Sequence, residues 1–166
     1  MELVRKYVWV SVGAIVIGAG FFFFYTRFYR DIKTLTDFSI AYEKFDKAIA
    51  DFAVAMSTGN SNPSSVAEES GRNAEMTLTI LQKQANERIS SLIRNDAEFM
   101  RTTLEISVLA RKEYEVVKAY NAALKDSSDG DGVSGLNVVN ELKNKRQAAY
   151  VHFQELVKVT KGKGHL

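Results

Sequence analysis

The chain has 166 residues, 46% hydrophobic and 25% charged, with one proline, no cysteine and a formal net charge of +2. That length allows one ordinary domain plus an appendage, and the composition is globular rather than disordered. The lack of cysteine excludes disulfides, thiolate metal sites and lipid attachment through sulfur.

Residues 1–6 form a short basic tail carrying Arg5 and Lys6. From Tyr7 to Tyr25 there is no charge at all. Nineteen helical residues at 1.5 Å each span about 28 Å, close to the roughly 30 Å hydrocarbon core of a bilayer. Tyr7 and Trp9 stand at one end, and Phe21, Phe22, Phe23, Phe24, Tyr25 and Tyr29 lead into the other. Aromatic side chains favour the interface, and Arg27 and Arg30 can snorkel to headgroups. The pattern predicts a single-pass transmembrane anchor over 7–29. A cleaved signal peptide ending near Gly18-Ala19-Gly20 would leave FFFFYTRFYR as a mature start, which suits a soluble protein poorly. A buried soluble helix is the third reading. The positive charges flanking the span are nearly balanced, and the short basic start favours a cytoplasmic N-terminus with the body outside a plasma or inner membrane. Ser11, Ala14 and Gly18 share one helix face, a small-residue spacing that could seat another membrane helix.

From Leu35 the apolar residues fall at Leu35, Phe38, Tyr42, Phe45, Ile49, Phe52 and Met56, a 3-4 heptad alternation. Ala41, Ala48 and Ala55 flank this coiled-coil-like seam and permit close packing. The helix is expected over 30–57 and to stop at the turn-forming run Ser57 to Ser64. Ser65 with Glu68 has capping-box spacing and predicts the next helix over 65–94. Asn95 with Glu98 resembles a further cap, so a tight reversal is expected at 94–96, then a helix over 96–125 through Phe99, Ile106, Leu109, Val116 and Tyr120. After Asp126-Ser-Ser-Asp-Gly-Asp-Gly a last helix is expected over 135–160 through Val139, Leu142, Ala149, Phe153 and Leu156, with a basic tail at 161–166. The expected fold is all-α: a transmembrane helix continuing into an antiparallel up-down-up-down four-helix bundle over 30–160. The alternative is a three-helix arrangement with one long helix over 65–125, since Gly71 is the only Gly or Pro between Val66 and Leu124.

Two charged residues interrupt the apolar seams, Glu113 on the third helix and Arg146 on the fourth. They lie about equally far from the turn near residue 130, so an antiparallel hairpin sets them at one height as an ion pair that fixes register. The other use of Arg146 is to attract a small anion.

Little else carries chemistry. The DSSDGDG run fails the EF-hand pattern, because Val138 falls where the closing Glu is needed. No Glu-x-x-His pair is present for a di-iron centre; His152-Phe-Gln-Glu155 has the reverse order. Asn62 is followed by proline and is not a glycosylation acceptor. No catalytic residue, cofactor site or metal site is expected. From Thr34 to Val157 there are 14 basic and 18 acidic residues, so the body lacks the basic face that nucleic acid requires. The basic excess lies at Arg5, Lys6, Arg27, Arg30 and Lys33 and in the tail at Lys158, Lys161 and Lys163, which suits anionic lipid. The expected partners are membrane lipid, other membrane proteins reached through the anchor or a bundle face, and a second copy through the heptad seam. The expected role is that of a non-catalytic accessory, assembly or scaffold subunit. An anchor with a four-helix bundle also resembles the extracytoplasmic ligand-sensing domain of chemoreceptors in architecture, without a shared motif.

Overall fold

The computed structural model describes the backbone at residues 2–57, 63–89, 97–126 and 132–163, and side chains within 16–55, 65–89, 97–122 and 137–160 apart from Phe28 and Arg88. The chain divides into two compact units, 1–33 and 34–166. Four α-helices and no strand are present among the described residues: α1 (Glu2–Ser57), α2 (Pro63–Lys83), α3 (Ala97–Asp126) and α4 (Gly132–Lys163), with a π-helical turn at Gln84–Ile89.

The second unit is a helical bundle whose register can be read from side-chain contacts. Phe38 meets Phe153 at 4.9 Å between ring centroids, Tyr42 stacks on Tyr150 at 3.6 Å, and Asp46 meets Arg146 at 2.6 Å. Numbers rise on α1 as they fall on α4, so the two run antiparallel. The contacts Phe99 with Phe153 and Glu113 with Arg146 make α3 and α4 antiparallel as well. On the other side α2 packs against α3, where burial first and then the nearby Glu75 carboxylate push the Tyr114 phenol up. Gly71 faces the Phe52 ring on α1. The helices α2 and α3 therefore lie side by side, which removes the single long helix over 65–125. The reversal expected at 94–96 lies outside the described residues.

The α1 seam is the spine of the core: Leu35, Phe38, Tyr42, Phe45, Ile49 and Phe52 are all buried, with Ala41 and Ala48 beside them. Each large buried side chain contributes roughly 1.5–3 kcal/mol. Met56 falls outside the described side chains. Within the chain the seam is enclosed by its own bundle. On α3 the buried stripe is Phe99, Thr102, Thr103, Ile106, Ser107, Ala110, Glu113, Tyr114 and Val117. The expected Leu109, Val116 and Tyr120 are only half-buried. Hydroxyls can occupy this stripe because they bond to the preceding turn: Thr103 donates to the Phe99 carbonyl at 2.9 Å, and Thr77 on α2 donates to Asn73 at 3.0 Å.

All four boundaries of α2 and α4 differ from expectation. The helix α2 starts at Pro63, two residues before Ser65, since proline in a first turn loses no needed N–H and brings a preset φ. Its α-helical part ends at Lys83, where the chain widens into the π turn instead of continuing to 94. The helix α4 begins at Gly132 rather than 135 and runs to Lys163 rather than 160.

Gly71 supplies a packing test. A Cβ there would lie 3.1 Å from Phe52 Cε2 and 3.2 Å from Cζ. Alanine would gain about 1 kcal/mol of helix propensity and lose a similar amount by crowding a ring fixed in the core. Gly71→Ala is thus expected within about 1 kcal/mol of the parent in thermal unfolding. Gly71→Val, whose branched methyls drive into the ring, should cost about 2 kcal/mol or more.

Candidate functional site

Within the bundle, the polar centre is built on Arg146, which is fully buried. Its Nε donates to Glu113 Oε2 at 2.7 Å, and its Nη2 donates to Asp46 Oδ1 at 2.6 Å, with a longer 3.5 Å contact to Glu113 Oε1. The structure thus brings Glu113 and Arg146 together and adds Asp46 from α1. Glu113 is as enclosed as the arginine, whereas the Asp46 side chain keeps 35% of its surface exposed. A buried guanidinium is held by one dry carboxylate and one at the solvent edge. The Arg146 Cζ also lies 5.0 Å from the Tyr42 ring centre and 5.2 Å from that of Phe45, within cation–π range. Among the described residues its Nη1 has no hydrogen-bond partner, nor do the hydroxyls of Tyr42 and Tyr150.

Electrostatics follow from this geometry. Burial alone would lower the Arg146 pKa, but the hydrogen bond and charge of Glu113, followed by Tyr42 and Asp46, outweigh it and hold the group above its usual value. Burial pushes the Tyr42 phenol up to about 12, with Asp46, Glu113 and Tyr150 adding to the rise and Arg146 opposing it. A folded-state pKa above the unfolded 10.0 means that this phenol's contribution is intact below pH 10 and is lost as pH rises through about 12. Tyr42→Phe removes both that titration and an unpartnered buried hydroxyl. It is expected to leave the bundle equal or up to about 1 kcal/mol more stable at neutral pH, and to flatten the loss of stability between pH 10 and 12 in urea titrations.

The first unit has a different character. Phe21, Phe22, Phe23 and Phe24 are 68–76% exposed, as are Val16, Ile17, Tyr25 and Tyr29 to a similar extent. At 100° per residue, four consecutive phenylalanines point to all sides of the helix. Burying them would be worth roughly 6 kcal/mol or more in total. Arg27 and Arg30 are exposed beyond them. Among the described residues no helix is long and apolar enough to cross a membrane. The reason is visible in the sequence: the described uncharged run, Val16 to Thr26, rises only about 17 Å before Arg27, Arg30, Asp31 and Lys33 intervene. The transmembrane span expected over 7–29 is therefore not carried by the described residues. Tyr7, Trp9, Ser11 and Ala14 belong to helical backbone, but their side chains lie outside the described set. A Cβ on Gly18 would meet nothing within 4 Å.

At the bundle rim, His152 Nε2 lies 3.1 Å from Glu98 Oε1, and Nδ1 lies 4.0 Å from Glu155 Oε2. These side chains are all substantially exposed, and no group of three His, Cys, Asp or Glu among the described residues is placed to hold a metal ion. Known proteins add nothing to this geometry. No family model, curated protein or solved structure matches the chain.

Proposed function

We propose that the chain is a non-catalytic, membrane-anchored helical bundle acting as an accessory, assembly or scaffold subunit of a membrane protein complex. The observation that carries this reading is the full ring of exposed phenylalanines at 21–24. A protein partner docked on one side would cover an arc and leave the rest wet, whereas lipid covers every side. The uncharged stretch extends through sequence to Tyr7, which supplies the length that Val16 to Thr26 lacks. The bundle offers partner surfaces of its own, with Met76 and Ile80 exposed one turn apart on α2 and Leu104 and Val108 on α3. In this reading the short basic start carrying Arg5 and Lys6 stays in the cytoplasm and the bundle lies outside a plasma or inner membrane.

Membranes containing the native protein should retain it through a carbonate wash, and mild detergent should release it with a stoichiometric membrane partner. Release by carbonate, or a clean monomer that binds a small molecule, would overturn the proposal. A second reading, a ligand-sensing bundle, is favoured by one observation: the unpartnered Arg146 Nη1 beside the Tyr42 ring and two orphaned phenol hydroxyls. Such a site would take a small hydrogen-bond acceptor, and calorimetric titration of candidate anions against the parent and Tyr42→Phe proteins separates it from the first reading.

A further inference from the structure

We infer that Arg27 and Arg30 form a headgroup site for an anionic phospholipid, a deepening that rests on the membrane-anchor reading. The two arginines are three residues apart on one helix, about 4.5 Å in rise and adjacent on its surface. Together with Phe23 and Thr26 they line a shallow depression of about 200 Å³. The depression is chemically two-ended. Phe23, 68% exposed, supplies an apolar wall toward the uncharged run, and the two guanidiniums supply forked N–H donors away from it. A phospholipid has the same order along its length, acyl chain and then phosphate. Thr26 contributes no donor, because its hydroxyl already donates to the Phe23 carbonyl at 3.0 Å. The phosphate contact therefore falls to the arginines. Lys33 reinforces the field and Asp31 opposes it, leaving three cations against one acid between Val16 and Lys33. Guanidinium suits phosphate better than ammonium does, since its planar fork bonds two oxygens at once.

The test uses the full chain reconstituted into vesicles doped with spin-labelled phosphatidylglycerol or phosphatidylcholine, comparing the motionally restricted fraction of each. Each basic residue at the surface is worth roughly a fivefold gain for an anionic lipid, so the parent should prefer phosphatidylglycerol by about tenfold or more. The double variant Arg27→Gln with Arg30→Gln should lose most of that preference while remaining in carbonate-washed vesicles with an unchanged helical spectrum. The Arg27→Lys with Arg30→Lys protein should keep an intermediate preference. A parent protein that stays in the vesicles without preferring phosphatidylglycerol overturns the headgroup site and leaves the anchor standing. Preference abolished by inorganic phosphate, at matched ionic strength, assigns the arginines to free phosphate and also overturns it. Loss of the parent itself from washed vesicles removes the anchor reading, and the headgroup site with it.

Discussion

Arg146→Met is expected to destabilise the bundle by about 3–5 kcal/mol, a large part of the 5–15 kcal/mol typical of a whole domain. The lost bonds are only part of this. The substitution leaves the Glu113 carboxylate fully enclosed with its counter-ion gone, and it removes a cation that faces two aromatic rings. The order of effects follows exposure. Glu113→Gln keeps the shape and Asp46 still neutralises the arginine, so about 1.5–3 kcal/mol is expected. Asp46→Asn acts on a side chain already 35% exposed and should cost about 1 kcal/mol or less. Replacing all three together, with Arg146→Met, Glu113→Leu and Asp46→Asn, should recover most of the stability, since a buried ion pair seldom beats an apolar one of similar volume. Urea unfolding followed by helical circular dichroism reads the series. A single Arg146→Met variant within 1 kcal/mol of the parent would show that the Glu113 carboxylate is not enclosed as described. If the pair serves register rather than stability, the triple variant should fold with looser helix pairing, seen as broader amide spectra.

Much of this centre was legible in the sequence, and the limits are instructive. Glu113 and Arg146 stood out because each is a charge in an otherwise apolar seam, and their equal distance from one turn sets them at one height. Asp46 did not stand out. It follows Phe45 directly and sits among Glu43, Lys44 and Lys47, so it reads as part of a solvated face. Only the reach of Arg146 across to α1 reveals its role. Tyr150 was hidden for a related reason: it neighbours Ala149, which fits the apolar spacing equally well, yet it is Tyr150 that stacks on Tyr42. The α1 seam could be read residue by residue because its 3-4 spacing is unbroken. The α3 stripe could not, because Thr102, Thr103 and Ser107 are polar by type yet buried. Local bonds such as that from Thr103 to Phe99 make such burial cheap, and a hydrophobicity pattern cannot register them. The π turn at Gln84–Ile89 carries no residue signature, because it follows from how many residues the packing fits between neighbours.

Placing two acids in the uncharged stretch, Val16→Asp with Phe22→Asp, is expected to abolish carbonate-resistant attachment to membranes. Val16 lies midway between Tyr7 and Tyr25, where an aspartate costs about 2.5–3.5 kcal/mol to insert in place of a side chain that favoured insertion. The second acid acts nearer the end and costs less, but together they exceed about 4 kcal/mol, a shift of roughly a thousandfold in partition. The paired control Val16→Leu with Phe22→Leu keeps the apolar surface and should remain bound. Both substituted positions are exposed and belong to the first unit, so the helical signal and unfolding midpoint of the bundle should not change in either protein. That invariance separates loss of attachment from loss of fold. If the two-acid protein stays on washed membranes as firmly as its parent, attachment runs through another surface. The phenylalanine ring would then have to be covered by protein on every side at once, as in an intermolecular helical bundle, and crosslinking from Phe22 should capture neighbours around the whole helix rather than lipid.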